Sequence, residues 1–190
     1  MNRYGKYVVA ALALAVLIGI GCFASRFVLY LTMRVMILAI FAMGYNVLFG
    51  RTGLLSFGHA AFFATGAYGV ALCSMHLSSH PILAIMVGIV TAAFLALIIG
   101  FFCVRHTEIY FAMLTLAFGM LVFSLMWSWR DVTGGDDGLS GIMRSSISFG
   151  LFKISIMKDS QFYFFVLFFF AFSVLLIHKI YQSPFGLILA

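Results

Sequence analysis

Charge is scarce in this chain. Asp, Glu, Lys and Arg make up 8% of its 190 residues, against about 25% in a soluble globular domain. With 65% hydrophobic residues and a mean hydropathy of +1.18, the chain reads as an integral membrane protein. Acidic residues are the scarcest: Glu108, Asp131, Asp136, Asp137 and Asp159 are the full set, and none falls mid-way along an apolar run. Proton- or ion-coupled carriers usually need an intramembrane carboxylate or histidine relay. The absence weighs against a secondary transporter, except one that binds Na⁺ through backbone carbonyls. No clustered acid, base and metal-ligand set is present either, which weighs against a membrane enzyme.

Cysteine and proline are sparse too. Cys22, Cys73 and Cys103 lie in or at the ends of apolar segments, without CxxC spacing. They read as buried, unreactive thiols, not as a disulfide or metal framework. Pro81 fits the first turn of a helix, where its missing N–H costs nothing. Pro184 follows the last apolar segment and would end it. There is no GxxxxGK[ST], so nucleotide binding through a P-loop is excluded. The net charge of +6 is spread over single basic residues at helix ends, such as Arg3, Lys6, Arg26, Arg51, Arg105 and Lys179. That pattern suits lipid-headgroup anchoring, not nucleic acid.

What the chain does have is long apolar segments. Six are visible, at about 8–24, 31–49, 54–75, 82–104, 109–128 and 162–180. Each approaches the roughly 20 residues that span the hydrocarbon core. The first is longer than a signal-peptide apolar core of about 7–15 residues and reads as a retained helix. Links at 50–53 and 105–108 are short, and 130–161 is long. The expectation is all-α, a polytopic bundle of about six transmembrane helices in a single domain, 1–190. Positive-inside counting favours a cytoplasmic N-terminus through Arg3, Lys6, Arg51, Arg105 and Lys179. Arg130, Arg144, Lys153 and Lys158 in the long link offset that bias.

One segment breaks the apolar pattern. Between Gly44 and Leu72, Asn46, Gly50, Arg51, Thr52, Gly53, Ser56, Gly58 and His59 interrupt it. Irregular backbone at membrane depth survives only inside protein or beside a water-filled cavity. The interruption therefore points to a solute path. After it, Ala60 and Ala64, then Ala61, Thr65 and Gly69, then Ala67 and Ala71 form small-residue lines at helical spacing. Such faces let membrane helices approach closely. Arg34 reads as snorkelling to the interface. His76 and His80 read as loop histidines without a third metal ligand. The aromatic run Phe162 to Phe172 reads as a face toward lipid and neighbouring helices. In the long link, Thr133, Gly134, Gly135, Asp136, Asp137 and Gly138 read as a tight, nest-like turn.

Gly44-Tyr45-Asn46-Val47-Leu48-Phe49-Gly50, with Thr52-Gly53-Leu54-Leu55-Ser56-Phe57-Gly58-His59-Ala60-Ala61-Phe62-Phe63 and Gly66-Ala67-Tyr68, resembles the signature of branched-chain amino-acid ABC importer permeases. Ile109–Phe118, Thr133-Gly134-Gly135 with Gly138-Leu139-Ser140-Gly141, and Ser183-Pro184-Phe185-Gly186 follow in the same order. The resemblance is closer to the M-type than to the H-type permease. It implies a permease subunit in a bacterial inner membrane, with a second permease subunit, two ATP-binding subunits and a periplasmic substrate-binding protein. ATP would be bound by those partners, and this chain would need no cofactor or metal. The solute would be a branched-chain amino acid, or a small polar relative such as urea or an amide. The chain would be the N-terminal part of a longer family domain. A secondary transporter and a non-functional truncated permease remain the alternatives.

Within that resemblance, Asn46, Ser56, His59, Thr65 and Tyr68 are the substrate-pathway candidates. Thr133, Gly134, Gly135, Asp136, Asp137 and Gly138 form the candidate docking loop for the binding protein. Ser183, Pro184, Phe185 and Gly186 lie near the ATPase-coupling region. SPFG on the cytoplasmic side, with six spans before it, implies a cytoplasmic N-terminus and a periplasmic glycine-rich loop.

Overall fold

The computed structural model describes residues 3–77, 80–105, 108–141, 147–149, 152–154 and 158–184. Helices dominate them. They are α1 (Arg3–Phe23), α2 (Arg26–Thr52), α3 (His59–Leu72), α4 (Pro81–Cys103), α5 (Glu108–Ser128), the short α6 (Arg130–Thr133) and α7 (Asp159–Gln182). A π-helical turn, Cys73–Leu77, continues α3. The protein is thus a polytopic α-helical membrane protein. Among the described residues five helices are long and apolar enough to cross a membrane, and α1 adds the shorter apolar stretch Leu12–Phe23.

Besides longer starts to α1 and α2, three features differ from the hydropathy reading. The third apolar segment runs from residue 54, yet helix begins only at His59. The reason is glycine: Gly53 sits at φ +69°, a left-handed conformation that ends α2. The second difference is α7, which gains a turn at its start with Asp159 in it, where a carboxylate suits the positive end of the helix dipole. Third, the long link is not bare. It holds α6 and a two-stranded antiparallel hairpin, β1 (Ile147–Phe149) and β2 (Phe152–Ile154), with Ser148 opposite Lys153.

The chain divides into two compact units. One holds α1, α2 as far as Met43, and α7. Its core is Leu29, Met33 and Met36 from α2 with Tyr163, Val166 and Leu167 from α7. Each trio follows the three-to-four-residue spacing that keeps side chains on one helix face. Tyr163 is fully buried, and its hydroxyl donates to the carbonyl of Leu17 at 2.8 Å. Gly21, one turn further along α1, lies beneath the Tyr163 ring, where a side chain would collide. Phe168 and Phe172 point outward, so the aromatic run divides between protein and lipid as its composition implied. Arg26 and Asp159 form an exposed 4.0 Å ion pair, an interaction worth little in stability. Cys22 is exposed on α1, unlike the buried Cys73 and Cys103 of the other unit.

The second unit runs from Gly44 to Ile154. Its α3–α5 core is built on Ala61, Ile99, Cys103, Phe111 and Val122. Gly66 and Gly69 of α3 face Gly88, Thr91 and Ala92 of α4 closely enough that a methyl group on Gly69 would strike the Thr91 hydroxyl. Lipid gives apolar helices no hydrophobic reason to associate, so this close approach, with its dispersion contacts, is what holds them together.

Candidate functional site

The helix break lies in the second unit, and its geometry starts at Thr52. The Thr52 hydroxyl donates to the Leu48 carbonyl at 2.6 Å and accepts the Leu54 N–H at 3.4 Å. Gly53 then turns the chain, and residues 53–58 run without helix until α3 opens at His59. Gly53 and Leu54 find local acceptors, whereas Phe57 takes its acceptor from α5. The Phe57 N–H donates to the Thr115 hydroxyl oxygen at 3.2 Å, while the same hydroxyl donates to the Ala112 carbonyl at 2.9 Å. Thr115 is therefore used in both directions, and it is 2% exposed.

The backbone itself touches α5 here. A Cβ on Gly58 would run into the Thr115 carbonyl oxygen. A Cβ on Gly119, one turn along α5, would come within 3.2 Å of Gly58 Cα. Only glycine at position 58 lets the break lie flat on the helix, and Gly119 keeps the approach free of crowding. Ser56, 3% exposed, is enclosed by this packing. Ser56 and Gly58 are thus buried against protein, while Gly53 and Phe57 of the same stretch stay exposed.

Two hollows flank the break, each about 390 Å³. One is lined by Gly58, Ala60, Ala61 and Ala64 against Leu116, Gly119, Met120, Phe123 and Met126. The other is lined by Gly53, Leu55, Ile109, Ala112 and Met113. Phe57 borders both. The Ala60–Ala64 line, which the sequence marks as a packing face, opens onto the first hollow.

The five pathway candidates are distributed unevenly. Ser56 and His59 stand at the break. His59 is half-buried, edge-on to Tyr45 of α2 at 5.4 Å and to Phe62 at 5.7 Å between ring centroids. Asn46 is exposed, and its side chain lies back along α2 over Gly50. The Thr65 hydroxyl donates to the Ala61 carbonyl of its own helix at 2.8 Å. Tyr68 is half-buried further along α3. Thr115 and Gly119 are the residues that sequence reasoning missed. The signal was there: a hydroxyl and a glycine four apart, on one face of an otherwise apolar helix.

The glycine-rich turn is a built structure. α6 ends at Gly134, in the left-handed region at φ +75°, and Gly135 and Gly138 follow at +58° and +65°. Thr133 is buried, with its hydroxyl within hydrogen-bonding reach of the Met126 and Trp129 carbonyls and accepting the Gly135 N–H at 3.3 Å. Asp136 and Asp137 are exposed at its tip. A Cβ on Gly134 would collide with the Gly138 carbonyl. Gly134→Ala combines that clash with left-handed strain, each costing about 1–3 kcal/mol. The expected result is a loop that trypsin cuts at Arg130 several times faster in membranes, with the helices still intact by circular dichroism. Of the third group, Ser183 closes α7 by donating to the Ile180 carbonyl at 2.7 Å. Pro184 is exposed, and Phe185 and Gly186 lie outside the described residues.

Fold and site together define a polytopic α-helical membrane protein with an irregular segment docked on one of its helices. The chain belongs to the branched-chain amino acid transport system permease component family, whose profile matches residues 27–190. It is 33% identical over 145 residues to the high-affinity branched-chain amino acid transport system permease protein LivM of Escherichia coli (strain K12), which covers 76% of this chain and 33% of the relative. LivM of Salmonella typhimurium is 37% identical over 118 residues, 61% of this chain and 27% of that protein. The matched part thus spans about a third or less of the length of these relatives. No solved structure matches the chain.

Proposed function

We propose that this chain is a solute-translocating subunit of a binding-protein-dependent ABC importer for branched-chain amino acids. The observation that carries the reading is the helix break at 53–58, docked on α5 through Phe57 and Gly58, in a chain of the permease family. Broken helices at membrane depth are where transporters place solute contacts. The solute would pass beside Ser56 and His59, and the chain would perform no covalent chemistry. The energy would come from two ATP-binding partners, with a second permease subunit completing the path. A periplasmic binding protein would deliver the solute to the loop carrying Asp136 and Asp137. On this reading the chain would lie in the inner membrane with its N-terminus in the cytoplasm. Ser183, Pro184, Phe185 and Gly186 would then lie toward the ATP-binding subunits.

The test is uptake of labelled leucine into membrane vesicles holding the chain and its partner subunits. The binding protein is supplied on the side where it docks. With ATP present and ion gradients collapsed by an ionophore, uptake is expected to persist, and excess isoleucine or valine to compete. Uptake that follows the ion gradient and ignores ATP would overturn the ABC reading. Competition by urea or acetamide, but not by isoleucine, would replace the solute class.

A further inference from the structure

We propose that Thr115 is the positioning residue of the helix break. Its hydroxyl latches residues 53–58 onto α5, so that Ser56, Phe57 and the start of α3 hold one geometry. The inference rests on the permease reading for its effect on transport, but the latch itself is a structural claim.

Three observations converge on this residue. The Phe57 N–H, near the end of the non-helical stretch, finds its acceptor in the Thr115 hydroxyl 58 positions along the chain. The hydroxyl's own hydrogen is held by the Ala112 carbonyl, so its lone pairs are aimed at the break rather than rotating freely. Gly58 and Gly119 remove the side chains that would hold the break away from α5. A backbone N–H left without an acceptor away from water is costly, so the segment without Thr115 must move to find one. Phe57 borders both hollows. Movement at its backbone would shift the ring between them and change the packing around the neighbouring Ser56. The hydroxyl touches the backbone of the break, not the solute, which makes Thr115 a positioning residue.

The experiment uses three variants. Thr115→Val keeps the shape and removes the hydroxyl. Thr115→Ser keeps the hydroxyl and removes the methyl. Gly119→Ala pushes on Gly58 from one turn away without touching the bond. Each is placed in a chain carrying Ser56→Cys, with Cys22, Cys73 and Cys103 replaced by alanine. Labelling of the introduced thiol by a water-soluble maleimide is timed in membranes. A lost hydrogen bond of about 1 kcal/mol corresponds to roughly fivefold faster labelling. Thr115→Val is expected to show that increase, Gly119→Ala a smaller one from its contact with Gly58, and Thr115→Ser to match the parent. Unchanged protection in Thr115→Val, or equal exposure in Thr115→Ser, would overturn the latch. If Thr115→Val does not accumulate, Thr115→Ala takes its place, and unchanged protection there overturns the latch.

In the vesicle assay, Thr115→Val is expected to lower the maximal uptake rate about fivefold, on the same conversion, while leaving KM unchanged. KM in such a system reports capture by the binding protein, and Thr115→Ser should restore the rate. A changed KM with an unchanged maximal rate would count against positioning. If the labelling pattern appears but the parent chain takes up no amino acid with its partners, the latch stands and the permease reading falls.

Discussion

Gly58→Val is expected to destabilise the α3–α5 unit around the break strongly and to stop transport. The glycine lies directly on the Thr115 carbonyl, and a single Cβ there would already overlap that oxygen. The obstacle is helix backbone, which has no alternative rotamer to adopt. Overpacking of this kind costs typically about 1–3 kcal/mol. Two methyl groups against backbone belong at the upper end, roughly a hundredfold in the folding equilibrium. The break would have to lift from α5, costing the Phe57–Thr115 hydrogen bond as well. Uptake should be lost, and the purified variant should melt well below the parent in detergent. Gly44→Ala is the control, because a Cβ at Gly44 meets nothing within 4 Å. A Gly58→Val protein with parental melting and transport would mean that the break does not rest on α5.

Gly88→Val is expected to separate α3 from α4. A Cβ at Gly88 would stand 2.5 Å from Val70 Cγ2 and 2.8 Å from the Gly66 carbonyl oxygen. Val70 is β-branched and has little rotamer freedom within a helix, so the strain must move the helices. In lipid that is damaging, because association depends on close packing rather than on expulsion of water. The expected measurements are a lower detergent melting temperature and faster proteolysis at the α3–α4 link in membranes. Gly100→Ala, on the same helix with nothing within 4 Å, should behave like the parent. Equal effects of the two substitutions would show that general helix propensity, not the α3–α4 contact, sets the outcome.

Much of the helical architecture was legible because the membrane imposes a simple rule. A run of apolar residues near the thickness of the hydrocarbon core must be helix, since no other single segment satisfies its own backbone. That rule found the runs around Met36, Val90, Leu116 and Phe169 without any tertiary information. It failed at Leu54 to Phe57, which are apolar enough to be counted as span but form no helix. Hydropathy measures side chains, whereas Gly53 at φ +69° and the docking of Gly58 are facts about backbone. The hairpin at 147–154 was hidden for a related reason. Three-residue strands are too short for an alternating pattern to stand out.

The candidate site was legible in part. Ser56, Gly58 and His59 announce themselves as polar or glycine positions in an apolar neighbourhood. Thr115 does not, because a threonine in a membrane helix usually satisfies itself on the preceding turn, as Thr65 does with Ala61. Thr115 does that too, and its second bond is visible only in three dimensions.

The sequence by itself determined that this chain is a membrane protein and where its helices run. It also determined that the chain carries the permease motifs and where the helical pattern breaks. Those follow from transfer free energies and backbone satisfaction, which are local properties. Only the tertiary structure decided what the break rests on. The partner of the Phe57 N–H lies 58 residues away, and no local rule selects Thr115 from among the hydroxyls of the chain. Close approach of two backbones at Gly58 and Gly119 made that choice. It depends on shape across the α3–α5 interface, not on the character of either segment alone.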